Sequence, residues 1–282
     1  MYKIIRNLLK PYWFKLRQYR CILKRIAIRK KILNGKFPFL NSTNNSQYIV
    51  SLTSHGERVN TTAPFAIYSI FLQTVFPSKI ILYLNKEKWN DDNLPNLVKK
   101  LIEHGLEVRF VQDIGPQTKL VPALNDFSNT NIITVDDDIY YHKKMLEVLI
   151  LEHKKEESKI CCYVVYGKDK RYRVFPIPLG VYGVLYPPNS LHSMATDFKE
   201  ISAVCPNNDD IWFGAMAKLK GTDFSVINAD FYKKGLSYVD LEAEQNGLFN
   251  TTNHGDGNKR TLDSVLSRFP EIKANISDEE VE

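Results

Sequence analysis

Four short apolar runs rich in β-branched residues recur along the first half of the chain: Tyr48–Thr53, Lys79–Leu84, Leu106–Val111 and Asn131–Val135. Between them lie segments of helical length and pattern: Pro64–Thr74, Leu94–His104 closed by Gly105, and Lys119–Phe127. Near-continuous apolar runs describe strands buried on both faces, and strands joined by helical crossovers pair in parallel. The pattern predicts an α/β fold with a Rossmann-like, doubly wound, mostly parallel sheet. With 282 residues, 44% hydrophobic and 25% charged, the chain can bury the core such a sheet needs.

The fourth run ends in three carboxylates, Asp136, Asp137 and Asp138. In open α/β sheets ligands bind beyond the carboxyl ends of the strands, so these side chains mark a site. Two carboxylates one residue apart can share a hard divalent cation, and Mg²⁺ or Mn²⁺ is commonly held by one or two carboxylates plus substrate phosphates. A nucleotide-linked substrate follows naturally. The structural alternative is that Asp138 loosely caps the helix expected at Lys143–Glu152.

Beyond the triplet the pattern loosens. A helix is expected at Lys143–His153 and a strand at Ile160–Tyr166, followed by a Gly-, Pro- and Tyr-rich stretch, Tyr172–Pro188, read as the floor and rim of an acceptor site. A second acidic pair, Asp209-Asp210, opens an apolar helical stretch, Ile211–Met216. Either it carries chemistry or it caps the helix, a role that Asn207, Asn208 and Asp209 all suit.

Charge is unevenly spread. Twelve Lys and Arg residues precede the first acidic residue, Glu57, which leaves 26 basic against 32 acidic residues in the remainder, a balance of −6 within a net charge of +6. The basic head also carries apolar residues at helical spacing (Ile5, Leu8, Leu9, Tyr12, Leu16, Tyr19, Leu23 and Ile26), with a kink expected at Pro11. It has no uncharged run of membrane-spanning length. A basic amphipathic helical segment with aromatic residues suits an anionic membrane surface, the alternative being a solvated helix packed on the body or a partner. The acidic body argues against nucleic acid. Charge continues through the region a secretory signal would keep apolar, which predicts a cytoplasmic protein, peripheral on the inner face of the cell membrane. The four cysteines have no zinc or CxxC spacing, consistent with reduced structural thiols. The expected organisation is a head and linker at 1–45, an enzyme domain at 46–265 and an acidic tail at 266–282.

Several runs carry a family resemblance: Ile49–Ser54, Ser69–Thr74 followed by Pro77–Ile80, Lys119–Leu124, Thr134–Tyr141, Gly183–Pro188 and Cys205–Trp212. In this order the chain resembles bacterial glycosyltransferases of the GT-A fold, particularly family-2-like enzymes that build capsule or lipopolysaccharide glycans. The resemblance implies a nucleotide-sugar donor, first of all a UDP-sugar, and a lipid-linked or glycan acceptor. It makes Asp136 and Asp138 the DxD pair that binds Mn²⁺ or Mg²⁺. Asp136 also meets the nucleotide, as do Thr53, Ser54, Arg58, Lys119 and Asp137. His254 would be a late metal ligand. One of Asp209 and Asp210 would be the general base of an inverting transfer, favoured by shielding from Trp212. The Asp-Asp pair departs from the Glu-Asp common in inverting members.

Other readings are weaker. A phosphotransferase of the haloacid dehalogenase type also places Asp-x-Asp after a strand, but here Tyr140 replaces its usual Thr or Val. The Gly-rich loop of sugar-nucleotide nucleotidyltransferases is missing between Ser54 and Thr62. A non-catalytic, membrane-associated assembly protein on the same fold is the alternative of a different class.

Overall fold

The structure, a computed structural model, describes residues 2–38, 47–166, 175–227, 237–240 and 256–274. In chain order the elements are α1 (Tyr2–Leu33), β1 (Tyr48–Thr53), α2 (Arg58–Thr61), α3 (Ala63–Phe71), β2 (Lys79–Asn85), α4 (Asn96–Ile102), β3 (Leu106–Val111), α5 (Val121–Asp126), β4 (Asn131–Thr134), β5 (Ile139–Tyr140) and α6 (Met145–His153). They continue with β6 (Ile160–Cys162), β7 (Val165–Tyr166), β8 (Ile177–Pro178), β9 (Val184–Tyr186), α7 (Phe198–Val204), α8 (Asp209–Lys220), β10 (Phe224–Val226) and β11 (Ser237–Tyr238). Helices α9 (Gly257–Arg268) and α10 (Glu271–Ala274) follow.

Seven strands form the central sheet in the order β10-β6-β9-β4-β1-β2-β3. All neighbours pair in parallel except β9, which is antiparallel to both β4 and β6. The fold is thus mixed α/β with a mostly parallel, doubly wound sheet. Alternate side chains divide between two cores, as the two-residue period of a strand requires. Val50, Leu52, Ile80, Leu82, Ile133 and Leu185 face α3, α4 and α6, whereas Ile49, Ile81, Tyr83, Ile132, Val184 and Tyr186 face α5, α7, α8 and α9.

The chain runs β1 to β2 to β3 in one direction, then returns to place β4 on the other flank of β1. Adjacent strands whose connections leave in opposite directions open a crevice at their carboxyl ends. The acidic triplet follows β4 directly at this crevice.

Several local expectations are corrected. The helix expected at Lys119–Phe127 is a 3-10 turn, Gln117–Lys119, followed by α5, because Pro122 at the start of α5 cannot continue the preceding turn. The strand expected at Ile160–Tyr166 divides: β6 joins the central sheet, and β7 forms a two-residue ladder with β8. The stretch read as irregular contains β8, a 3-10 turn at Gly180–Tyr182 and β9; its residues 172–174 lie outside the described residues.

Helix α1 runs through Pro11 as one element. Its last turns bury Ile28 and Ile32 in the core shared with α3 and α4. Phe37 then stacks on His104, with ring centres 3.9 Å apart, and meets Tyr68 and Phe71 edge-on. Residues 39–45 of the expected head and linker and residues 275–282 of the expected tail lie outside the described residues. The four cysteines form no disulfide among the described residues, and Cys161, Cys162 and Cys205 are buried.

Candidate active site

Four segments meet at the crevice. The carboxyl end of β1 supplies Ser54 and, at the start of α2, Arg58. The 3-10 turn supplies Lys119, the end of β4 supplies Asp136, Asp137 and Asp138, and the first turn of α8 supplies Asp209 and Asp210.

Each carboxylate of the triplet is held differently. Asp137 accepts from Ser54 Oγ at 2.6 Å and from Arg58 Nη1 at 2.7 Å. The other arm of Arg58, Nη2, donates to Asp138 Oδ2 at 3.1 Å. Arg58 therefore braces neighbouring side chains of one strand end, a role its planar fork suits. Asp138 makes this contact rather than capping α6, whose N-terminal flank, Lys144, has no side-chain cap. Asp136 turns the other way and accepts from Lys119 Nζ at 2.7 Å.

Lys119, 7% exposed, also meets Asp209 Oδ2 at 2.7 Å, as an ion pair without hydrogen-bond geometry. One buried ammonium thus joins the triplet to the second acidic pair. Burial works against its charge, but Asp136, Asp209 and Asp210 together raise its proton affinity well above that of an ordinary lysine. It stays charged at every working pH.

Asp210 is fixed by backbone, with the Gly180 N–H donating to Oδ1 at 2.9 Å. A Cβ on Gly180 would lie 2.8 Å from Lys119 Nζ and 2.9 Å from Asp210 Oδ1, so a side chain here would have to displace the tips of the ion cluster. Burial, then the charge of Asp209, pushes the Asp210 carboxyl well up, against the opposing pull of Lys119. The capping question is also resolved: Asn208 Oδ1 accepts from Ile211 N at 2.9 Å, and this cap leaves Asp209 and Asp210 inside the first turn. Trp212 donates to the Ala195 carbonyl and packs against Phe269.

Two further residues complete the frame. Thr53 donates to the Tyr83 carbonyl at 2.9 Å, which ties the tip of β1 to β2. Tyr141, to which the sequence assigned no role, accepts from the Asp136 N–H at 2.8 Å and donates to the Val181 carbonyl at 3.2 Å. It locks the triplet to the turn that holds Asp210. Only its place in the Thr134–Tyr141 run pointed toward it. His254 lies outside the described residues.

Five carboxylates surround two cationic side chains, an excess of negative charge. Asp138 feels it directly: burial, then Asp137 and Asp136, push its carboxyl up to about 7 despite Arg58. The donors are hard oxygens, the kind Mn²⁺ and Mg²⁺ select. Among the described residues no three His, Cys, Asp or Glu side chains group closely enough to hold a metal alone. The set fits a divalent cation held by one or two carboxylates together with substrate phosphates, not a closed protein cage.

No family model and no curated protein sequence matches the chain. Among solved structures it is similar to glucosyl-3-phosphoglycerate synthase from Mycobacterium tuberculosis in complex with Mg²⁺ and uridine diphosphate (13% identity, 80% of each chain, TM-score 0.48). It is also similar to S. aureus TarS 1-349 (14% identity, 83% of this chain and 76% of that one, TM-score 0.46). A third is a cytidylyltransferase from Leptospira borgpetersenii serovar Hardjo-bovis (9% identity, 82% of this chain and 97% of that one, TM-score 0.42). Likenesses this loose decide neither chemistry nor substrate, which rest on the chain's own residues.

Proposed function

We propose that the chain is a metal-dependent glycosyltransferase of the GT-A kind, which moves a sugar from a nucleotide donor, a UDP-sugar in the first instance, to a bacterial surface glycan or its lipid-linked precursor. The observation that carries this reading is the double grip of Lys119 on Asp136 and Asp209. It brings the carboxylates expected to serve the donor and those expected to serve the acceptor into one ion cluster at the switch point of the sheet. The order of motifs along the sequence supports the same assignment.

Asp136 and Asp138 are the residues that would hold Mn²⁺ or Mg²⁺. When bound, the cation would offset the charge that builds on the departing nucleoside diphosphate. Ser54, Arg58 and Asp137 form the wall at the nucleotide end. Lys119 is a fixed positive charge between the two halves of the site. Asp210 is the general base: Gly180 holds Oδ1, and Oδ2 takes the proton of the attacking acceptor hydroxyl. Its raised proton affinity makes it a stronger base than an exposed carboxylate. The acceptor oxygen then forms the new bond to the anomeric carbon as the bond to the diphosphate breaks and its electron pair leaves with the nucleotide. Asp209, held by Lys119, is the positioning partner.

The test is a thermal-stability and turnover screen of nucleoside-diphosphate sugars with and without Mn²⁺. A UDP-sugar is expected to raise Tm in the presence of the metal and to be turned over. Asp138→Asn should abolish metal-dependent donor binding. Asp210→Asn should keep donor binding and lower kcat by roughly 10²–10⁴-fold. Full activity in Asp138→Asn, or no stabilisation by any donor, would overturn the proposal.

A further inference from the structure

Helix α1 has two unlike faces. Toward the body it directs Cys21, Arg25, Ile28 and Ile32: Arg25 Nη1 pairs with Asp240 at 2.7 Å, and Ile28 and Ile32 enter the core. Neighbouring Lys24 lies 3.7 Å over the Tyr140 ring. These contacts fasten the helix to β5, the strand that directly follows Asp138, and to the segment after its partner β11. The second half of the helix is therefore packed on the body.

Its opposite face carries Tyr12, Leu16, Tyr19, Leu23 and Ile26, spaced so that all five align on one side of a 3.6-residue helix. All are exposed, Tyr12 at 72% and Ile26 at 59%. A contiguous apolar stripe left in water marks a docking surface. Exposed Lys15, Arg20, Arg29 and Lys30 flank or extend it, and no acidic residue occurs before Glu57.

We infer that the outward face of α1 seats on an anionic lipid bilayer, with the aromatic and aliphatic side chains in the headgroup boundary and the flanking Lys and Arg residues on the lipid charges. The charge distribution selects this occupant. Twelve basic residues stand in the head while the remainder carries 26 basic against 32 acidic residues, so attraction to an anionic surface resides in the head. Electrostatic attraction decays over about 8 Å at physiological salt, so only the head's charges act at the surface and the molecule docks in one orientation. Among the described residues no helix is long and apolar enough to cross a membrane, so this attachment is interfacial. Because the inner face of the same helix packs on β5, the strand that follows Asp138, docking brings the candidate site close to the membrane plane. The binding claim stands independently of the proposed chemistry.

The test is co-sedimentation of the full chain with vesicles of phosphatidylcholine alone or with added phosphatidylglycerol. The expected result is binding to the anionic vesicles only, weakened by salt at about 0.5 M, where screening shortens to a few ångström. Trp13 emission should shift to the blue on binding. Leu16→Glu with Leu23→Glu, and separately Lys15→Glu with Arg20→Glu and Lys30→Glu, should each lower the bound fraction at least about tenfold. These positions are exposed, and circular dichroism will show whether the fold is kept. Equal sedimentation with both vesicle types, or variants that bind like the parent, would overturn the inference. So would a dimer, seen by sedimentation velocity, that the variants turn monomeric while no vesicle binding occurs; that result would assign the face to a second copy of the chain.

Discussion

Lys119 owes its position to its backbone as much as to its charge. Its carbonyl accepts from Ser51 Oγ, which pins the 3-10 turn to β1, while its ammonium bridges Asp136 and Asp209. Gly180 closes the arrangement, since any side chain there would press on the ammonium and on Asp210 together. Gly180→Ala should therefore lower kcat at least roughly tenfold by displacing the proposed base, with a much smaller change in donor affinity. Steady-state kinetics beside donor titration separates the two; an unchanged kcat would show that the turn does not position the base. Asp137 shows how the triplet divides its labour. With Ser54 on one oxygen and Arg58 on the other, it keeps the loop in register.

Among the elements, α8 has the clearest start and stop. Asn208 caps its first turn, Gly221 in the left-handed region ends it, and Ile211 to Ala217 are buried. The cap also reaches sideways, with Asn208 Nδ2 donating to Asn258 Oδ1 at 2.9 Å at the start of α9. Asn208→Ala should cost about 1–2 kcal/mol of stability, read from urea unfolding, because the orphaned N–H of the first turn loses its acceptor. Turnover should fall as well, since the frayed turn is the one that carries Asp209 and Asp210. Strand β9 matters in another way. It enters antiparallel beside β4, so its leading turn lies at the carboxyl end of β4, and this direction brings Gly180 within reach of Asp210.

For the whole molecule, the excess of carboxylates at one crevice makes stability depend on pH. Asp138, with a folded-state pKa raised to about 7 from the ordinary 3.8, binds its proton more tightly folded than unfolded. Its contribution is therefore fully present below the unfolded value and is lost as pH rises toward about 7, flattening above. Without metal, urea unfolding should show stability falling across that window, and Asp138→Asn should flatten the slope. Mn²⁺ should bind more tightly above pH 7, where it no longer competes with the proton, and restore stability there. The sequence alone determined β1 to β4 of the parallel sheet, with β1 and β3 at their expected bounds, and the placing of the acidic triplet at a strand end, because burial on both faces writes a local apolar pattern. Tertiary structure decided the rest: the insertion of three-residue β9 into a Gly- and Pro-rich stretch, the division of Asp136 from Asp137 and Asp138 between Lys119 and Arg58, the Tyr141 lock and the backbone grip on Asp210. Each of these joins segments distant along the chain, and a pairing of that kind depends on how the sheet closes and leaves no periodicity in the residues that make it.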